Sequence, residues 1–378
     1  MSQKRVLFVI DLLDRFSATR QLDLLTQQLG RDHDVHVAVL GSHTPLPTSV
    51  MADANQGAAD GSRQFHFLGA SSFETHSFRT LFRSGLRLRK LIRQLKPDLI
   101  HAWCQPAERV TLAACAEFDS IRKFATELYV RPSTNMTMEA VDRRLGKPVE
   151  QYIVPHEKIR ESLVGHQYVE EKISIVPGAV GQSDIDRVAA RRKLIQLVGA
   201  GKDVRLAGAV APLVPRSRLK DLVWATDLLT CIRGDFHFII FGRGTQRQRL
   251  ERFAFQTEAG HHVHFVDSEL HAMDLIPGLD FFWQSHLNEP HPGALHHAMQ
   301  SAVPVVSVYG PGTSESIEHQ ATAFATNFGA RDEFARWTKY LLEKTDSGAQ
   351  LAEQGRDSLS GKFLAGEMAD GYRKLYEA

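Results

Sequence analysis

Cysteine is scarce in this chain. The three present in 378 residues, Cys104, Cys115 and Cys231, are odd in number, far apart and in no CxxC spacing, which argues against a disulfide framework and a thiolate zinc cluster. Long apolar runs are missing as well. No stretch approaches the roughly 18 uninterrupted apolar residues of a membrane-spanning helix, and in the opening MSQKRVLFVIDLLDR the run is cut by Asp11 and Asp14 before a secretory core could form. Neither sign of charge is in excess. Lys+Arg at 45 against Asp+Glu at 44 leaves +1, so no global field favours nucleic acid and any anion site must be local. These absences lead to the expectation of a cytoplasmic protein that contacts a membrane, if at all, peripherally on its inner face.

What is present reads as a folded α/β chain. With 43% hydrophobic and 24% charged residues it is neither disordered nor fibrous in composition, and its length exceeds the roughly 250 to 300 residues at which single cores stop growing. Val6 to Ile10 is a nearly all-apolar run of the kind parallel strands need, and Ala18 to Leu29 follows with helical spacing through Leu22, Leu25 and Leu29. Val35 to Leu40 is a second strand, residues 52 to 64 a polar loop, 77 to 96 a basic helix, and Leu99 to Trp103 a third strand. Strands at 124–128, 152–155 and 173–177, with a helix over about 156–164, carry the alternation to Pro177-Gly178. A charged segment ending in Gly199-Ala200-Gly201 connects to a second series, with strands at 205–211, 236–241, 263–266, 281–284 and 304–308 and helices over about 219–232, 245–256 and 293–301. Two Rossmann-like domains facing a cleft are expected, over residues 1–178 and 179–354.

The segment DFFWQSHLNEPHPGALHHAMQSAVPVV, residues 280 to 306, resembles the donor-site block of retaining glycosyltransferases of family 4, the group 1 type with the GT-B fold. Asp280, Phe282, Ser285, Glu289, Gly293, Ala298-Met299 and Pro304-Val305-Val306 fall in that block's order. Three further blocks also follow the family's sequence of motifs: LKPDLIHAW (95–103), EQYIVPHEKIRESL with KISIVPGAV (150–180), and FHFIIFGRGTQRQRLE (236–251). The resemblance implies transfer of a sugar from a nucleoside-diphosphate sugar to a glycan, lipid-linked or small-molecule acceptor, with retention and with neither metal nor cofactor. It also implies that a C-terminal helix, about 355–378, crosses back onto the first domain.

The chemistry of that block is readable from its residues. A helix opening at Pro292, Gly293 and Ala294 offers free backbone N–H groups and a positive dipole end to a diphosphate. Glu289, just before it, can accept hydrogen bonds from sugar hydroxyls, as the matching glutamate does in the family, or can cap the helix. Gly242 and Gly244 after an apolar strand suit either a phosphate loop or a tight turn.

Several positions depart from the family pattern. Where the family holds the donor ribose with a second glutamate, this chain has His297, which makes fewer hydrogen bonds. The arginine and lysine that neutralise the leaving diphosphate are replaced by Pro212 and Ser217, with Arg216, Arg218 and Lys220 close enough to substitute. Of the Gly-Gly-x-x-Arg turn only Arg20 remains, in Phe16-Ser17-Ala18-Thr19-Arg20. FATELYVRP (124–132) lacks the family's active-site histidine. Glu127, Tyr129 and Arg131 occupy that acceptor-side neighbourhood, and His101 is the nearest catalytic candidate, although a lone strand-end histidine is more often structural. A metal site from His286, His291, His296 and His297 has no recognised spacing. A catalytically inactive GT-B protein that binds a nucleotide, glycan or protein is the rival reading. Helix 77–96, with seven Lys/Arg and no acid, either packs with a solvated basic face or lies on anionic lipid.

Overall fold

The computed structural model describes residues 3–13, 17–41, 63–69, 78–131, 136–180, 186–267, 272–287, 293–310 and 312–378. These form two compact units, Met1–Ala179 with Phe363–Ala378, and Val180–Lys362. Each is a parallel sheet covered by helices.

The first unit contains β1 (Arg5–Ile10), β2 (Asp34–Val39), β3 (Arg63–Phe67), β4 (Leu99–Trp103), β5 (Arg122–Thr126), β6 (Gln151–Val154) and β7 (Ile173–Ile175), in the order β3-β2-β1-β4-β5-β6-β7. All pairings are parallel. β1 and β4 sit centrally and are buried almost throughout, which is why VLFVI and LIHAW carry so little polar character. The order reverses between β1 and β4, so their C-terminal ends form the crevice where such sheets take ligands. The opening of β3 falls inside the segment expected to be a polar loop; RQFHF alternates, and an edge strand needs only one apolar face.

The second unit contains β8 (Arg205–Val210), β9 (Phe236–Phe241), β10 (Val263–Val266), β11 (Phe281–Gln284), β12 (Val305–Val308) and β13 (Phe324–Thr326), in the order β10-β9-β8-β11-β12-β13. Here the reversal lies between β8 and β11. One face packs under helices Leu219–Thr230 and Arg331–Glu343 through Leu222, Val223, Phe238, Trp283 and Phe334. The helix Gly293–Gln300 packs on β11 and β12.

The C-terminal segment differs from the single helix expected over 355–378. Helix Thr345–Ser358 stays with the second unit, the chain breaks through Gly361 in a left-handed conformation (φ 71°), and helix Ala365–Glu377 belongs to the first unit. There Met368, Ala369, Tyr372 and Tyr376 complete the core over Phe8, Trp103 and Phe124. None of the described helices is long and apolar enough to cross a membrane. The basic helix Phe78–Leu95 buries Leu88, Leu91 and Ile92 and exposes Phe82 and Leu86 beside Arg83 and Lys90. Its other cations are partly engaged: Arg93 and Arg89 face Glu117 at 2.6 and 3.8 Å, and Arg87 donates to the Leu68 carbonyl.

Candidate functional site

The C-terminal ends of β8, β9 and β11 bring together most of the donor-side residues read from the sequence. The loops after β8 and β9 lie directly on one another. Leu213 donates its N–H to the Arg243 carbonyl (2.8 Å) and Gln246 to that of Leu213 (2.9 Å). A Cβ on Gly242 would run into the Ala211 carbonyl oxygen, and one on Gly244 into that of Leu213. Both glycines therefore serve the close approach of two protein loops, the tight-turn alternative, and no ligand is needed to explain them.

The β8 loop is self-satisfied where relatives of the resembling family carry cations. Ser217 is fully buried, donating from Oγ to the Pro212 carbonyl (2.5 Å). Ser285, the first residue after β11, donates from its own Oγ to the Ser217 carbonyl (2.6 Å), tying the β8 loop to the segment that leads into helix Gly293–Gln300. The three substitute cations are not equivalent. Arg218, left-handed at φ 49°, is held by Asp221 (2.6 Å) and lies 4.8 Å over the Phe328 ring. Lys220 sits 4.2 Å over the Phe253 ring of helix Arg247–Phe255. Arg216 is exposed and has no partner among the described residues.

Gly293 and Ala294 open the helix and are half-buried. Glu289, Pro292 and His291 lie outside the described residues. His297 is buried, and His296 bonds Ser316 Oγ (2.6 Å). Among the described residues no group of three or more His, Cys, Asp or Glu is placed to hold a metal ion.

In the first unit the structure corrects two expectations. His101 is 0% exposed, with Nδ1 bonded to Tyr376 Oη (2.6 Å), Nε2 bonded to Thr126 Oγ1 (2.8 Å), and its ring packed among Phe8, Trp103, Phe124 and Tyr372. Burial drives its pKa down to about 3, so it is a neutral pin for the C-terminal helix and not a catalytic group. Glu127, expected on the acceptor side, is sealed off too. It faces Arg131 Nε at 3.1 Å, and Arg131 also pairs with buried Glu108 and donates to Tyr168 (2.5 Å), while Tyr152 donates to Glu108 (3.1 Å). Two carboxylates share one guanidinium in a buried place, and burial pushes Glu127 up to about 7, against the opposing pull of Arg131. Tyr129 remains accessible on the loop above this network. Phe16 lies outside the described residues; Ser17 opens helix Ser17–Leu29, with Arg20 half-buried in its first turn.

Sequence reasoning missed Glu108, Phe328 and Gln284. Only Gln284 left a signal, a lone polar residue closing the apolar strand FFWQ.

Comparison with known proteins gives a consistent result. The family model described as "Glycosyl transferases group 1" matches residues 191–358, and "Glycosyltransferase Family 4" matches residues 18–182. A curated relative, the lipopolysaccharide core biosynthesis glycosyltransferase LpsE of Rhizobium meliloti (strain 1021), is 23% identical over 136 residues, 36% of this chain and 40% of that protein's length. The crystal structure of Anabaena HepE in complex with UDP-glucose superposes with a TM-score of 0.81 at 16% identity, covering 100% of both chains. Sucrose-phosphate synthase from Thermosynechococcus elongatus does so with a TM-score of 0.79 at 14% identity, covering 99% of this chain and 98% of that one.

Proposed function

This chain belongs to the group 1 glycosyltransferases, with two Rossmann-like units of the GT-B type, and we propose that it moves a sugar from a nucleoside-diphosphate sugar to an acceptor, with retention and without a metal ion. The observation that carries the proposal is the Ser285–Ser217 bond, which fastens the β8 loop and its free cation Arg216 to the segment entering helix Gly293–Gln300, at the switch point of the second sheet. A helix N-terminus and a guanidinium together offset the charge that develops on a departing diphosphate, the main electrostatic task of such a transfer. Arg216 thereby replaces the cations lost at Pro212 and Ser217. From its position in the sequence block, Glu289 is assigned to the donor sugar.

UDP-sugars are the first donors to test, because HepE was crystallised with UDP-glucose. A lipid-linked glycan is the favoured acceptor class. LpsE is named for lipopolysaccharide core synthesis, and the exposed pair Phe82 and Leu86 flanked by Arg83 and Lys90 suits the surface of an anionic bilayer. The test is a thermal-shift screen of the whole protein against nucleotide sugars, with donor hydrolysis read alongside. A shift with one sugar nucleotide and accompanying turnover is expected. Absence of any shift at millimolar concentration would remove the enzyme reading and leave a non-catalytic GT-B protein.

A further inference from the structure

Gln284 ends β11 at the rim where helix Gly293–Gln300 begins, and it is 6% exposed. Among the described residues its Nε2 has no hydrogen-bond partner. Strand alternation shows where the side chain goes. Phe281 and Trp283 belong to the core under helices Leu219–Thr230 and Arg331–Glu343, where Trp283 Nε1 donates to Thr338. Gln284 and Phe282 therefore face the opposite side, the one covered by helix Gly293–Gln300.

Neither neighbouring serine accepts from the amide. Ser307, its register partner on β12, donates to the Val308 carbonyl, and Ser285, the next residue along, donates to Ser217. A buried amide N–H without a partner is costly, and an apolar residue after FFW would avoid that cost. The position is otherwise unexplained by packing. Buried groups of this kind are satisfied by ordered water or by a ligand.

We propose that Gln284 is a donor-contacting residue that hydrogen-bonds an oxygen of the nucleotide sugar, and that it helps decide which sugar nucleotide is accepted. The inference rests on the nucleotide-sugar reading above. A primary amide suits this place because it donates and accepts at once, as a sugar hydroxyl does, whereas a diphosphate oxygen only accepts. Either oxygen meets the unpartnered N–H; the two differ in what the free nucleotide feels.

The test is Gln284→Met, close in volume and without hydrogen-bonding groups, beside the wild-type protein. Calorimetric titration with UDP and with UDP-glucose, or with the best donor from the screen, reads binding; melting without ligand reads the cost of the unpaired amide. The unliganded variant is expected to melt about 2 to 4 °C higher, the shift that relieving an unpaired buried group gives in a unit of this size. Binding of the sugar nucleotide is expected to weaken about tenfold, the scale of one lost hydrogen bond. Weakening confined to the sugar nucleotide assigns the contact to a sugar hydroxyl, and equal weakening of UDP assigns it to the diphosphate. Unchanged affinity for both overturns the inference and leaves an amide that holds water only. A lower melting point with unchanged affinity also overturns it and makes Gln284 structural. A wild-type protein that binds neither compound ends the nucleotide-sugar reading, and this inference with it, whatever the variant's melting point.

Discussion

Replacing His101 by Gln isolates one buried proton site, because glutamine keeps hydrogen-bonding capacity toward Thr126 and Tyr376 and cannot titrate. In the folded protein His101 stays neutral down to about pH 3, while in the unfolded chain it takes a proton near 6.5. A depressed histidine pKa means that the unfolded state binds more protons between those values. Stability from this site is complete above about pH 6.5 and is lost as pH falls toward 3. Between pH 7.5 and 5 the loss is about 2 kcal/mol, at 1.36 kcal/mol per pH unit below 6.5. The variant should begin about 1 to 3 kcal/mol less stable at pH 7.5, having lost fitted hydrogen bonds and ring packing. It should then lose about 2 kcal/mol less than wild type on acidification. Other titrating groups are common to both proteins and cancel in the difference. Amide exchange of residues 365–377 is the appropriate readout, since His101 pins Tyr376 in that helix and its slowest amides report opening of the first unit. A gap between the two proteins that stays constant from pH 7.5 to 5 would show that His101 titrates alike folded and unfolded, and the burial argument would be wrong.

Arg216→Ala should lower turnover about 100-fold while Lys220→Ala, whose ammonium rests on Phe253, has a small effect; equal losses in steady-state assays would discredit the assignment. Gly242→Ala should destabilise the second unit by about 3 kcal/mol or more, because the added methyl meets a backbone carbonyl that cannot step aside, and an unchanged urea midpoint would contradict the loop geometry. Arg83→Glu with Lys90→Glu should abolish co-sedimentation with anionic vesicles and leave neutral vesicles unaffected; equal binding of wild type to both vesicle types would remove the membrane assignment.

The parts of the fold that were legible are those where burial dictates composition. Central parallel strands have no polar alternatives, so Phe236–Phe241, Phe281–Gln284 and Val305–Val308 could be read from their apolar runs alone. Two of the four edge strands, β3 and β13, were not legible, because RQFHF and the three-residue FAT bury too little to leave a pattern. At the site, residue types were easier to name than the directions in which they point. Arg216, Arg218 and Lys220 are near-equivalent in sequence, and only the ring of Phe328, the carboxylate of Asp221 and the ring of Phe253 separate them. His101 was ambiguous for the same reason. Its partner Tyr376 lies 275 residues away, beyond the reach of any local pattern.

The two units also share a device that no sequence period would expose. Arg5, the first residue of β1, is 2.5 Å from Asp34 at the start of β2, and its N–H donates to Asp98, the residue before β4. In the second unit Arg205, the first residue of β8, lies 3.3 Å from Asp280, the residue before β11, whose carboxylate also accepts the Leu206 N–H. Imidazole pairs repeat as well: His36 and His66 join β2 to β3 at 2.9 Å, and His237 and His264 join β9 to β10 at 3.0 Å. In both sheets β2-β1-β4 and β9-β8-β11 occupy the same places, so matched side chains serve matched strands. Aspartates beside the first N–H groups of the central strands satisfy donors that have no ladder partner there, a requirement both sheets meet independently of any ligand. Among the described residues no such correspondence holds at the opposite ends, where the first unit has the Glu108–Arg131–Glu127 network and the second has Arg216, the Ser217–Ser285 bond and Gln284. The strand N-terminal ends answer to a shared folding problem. The described C-terminal ends differ between the two sheets although the central strands correspond, so a shared folding problem does not account for them.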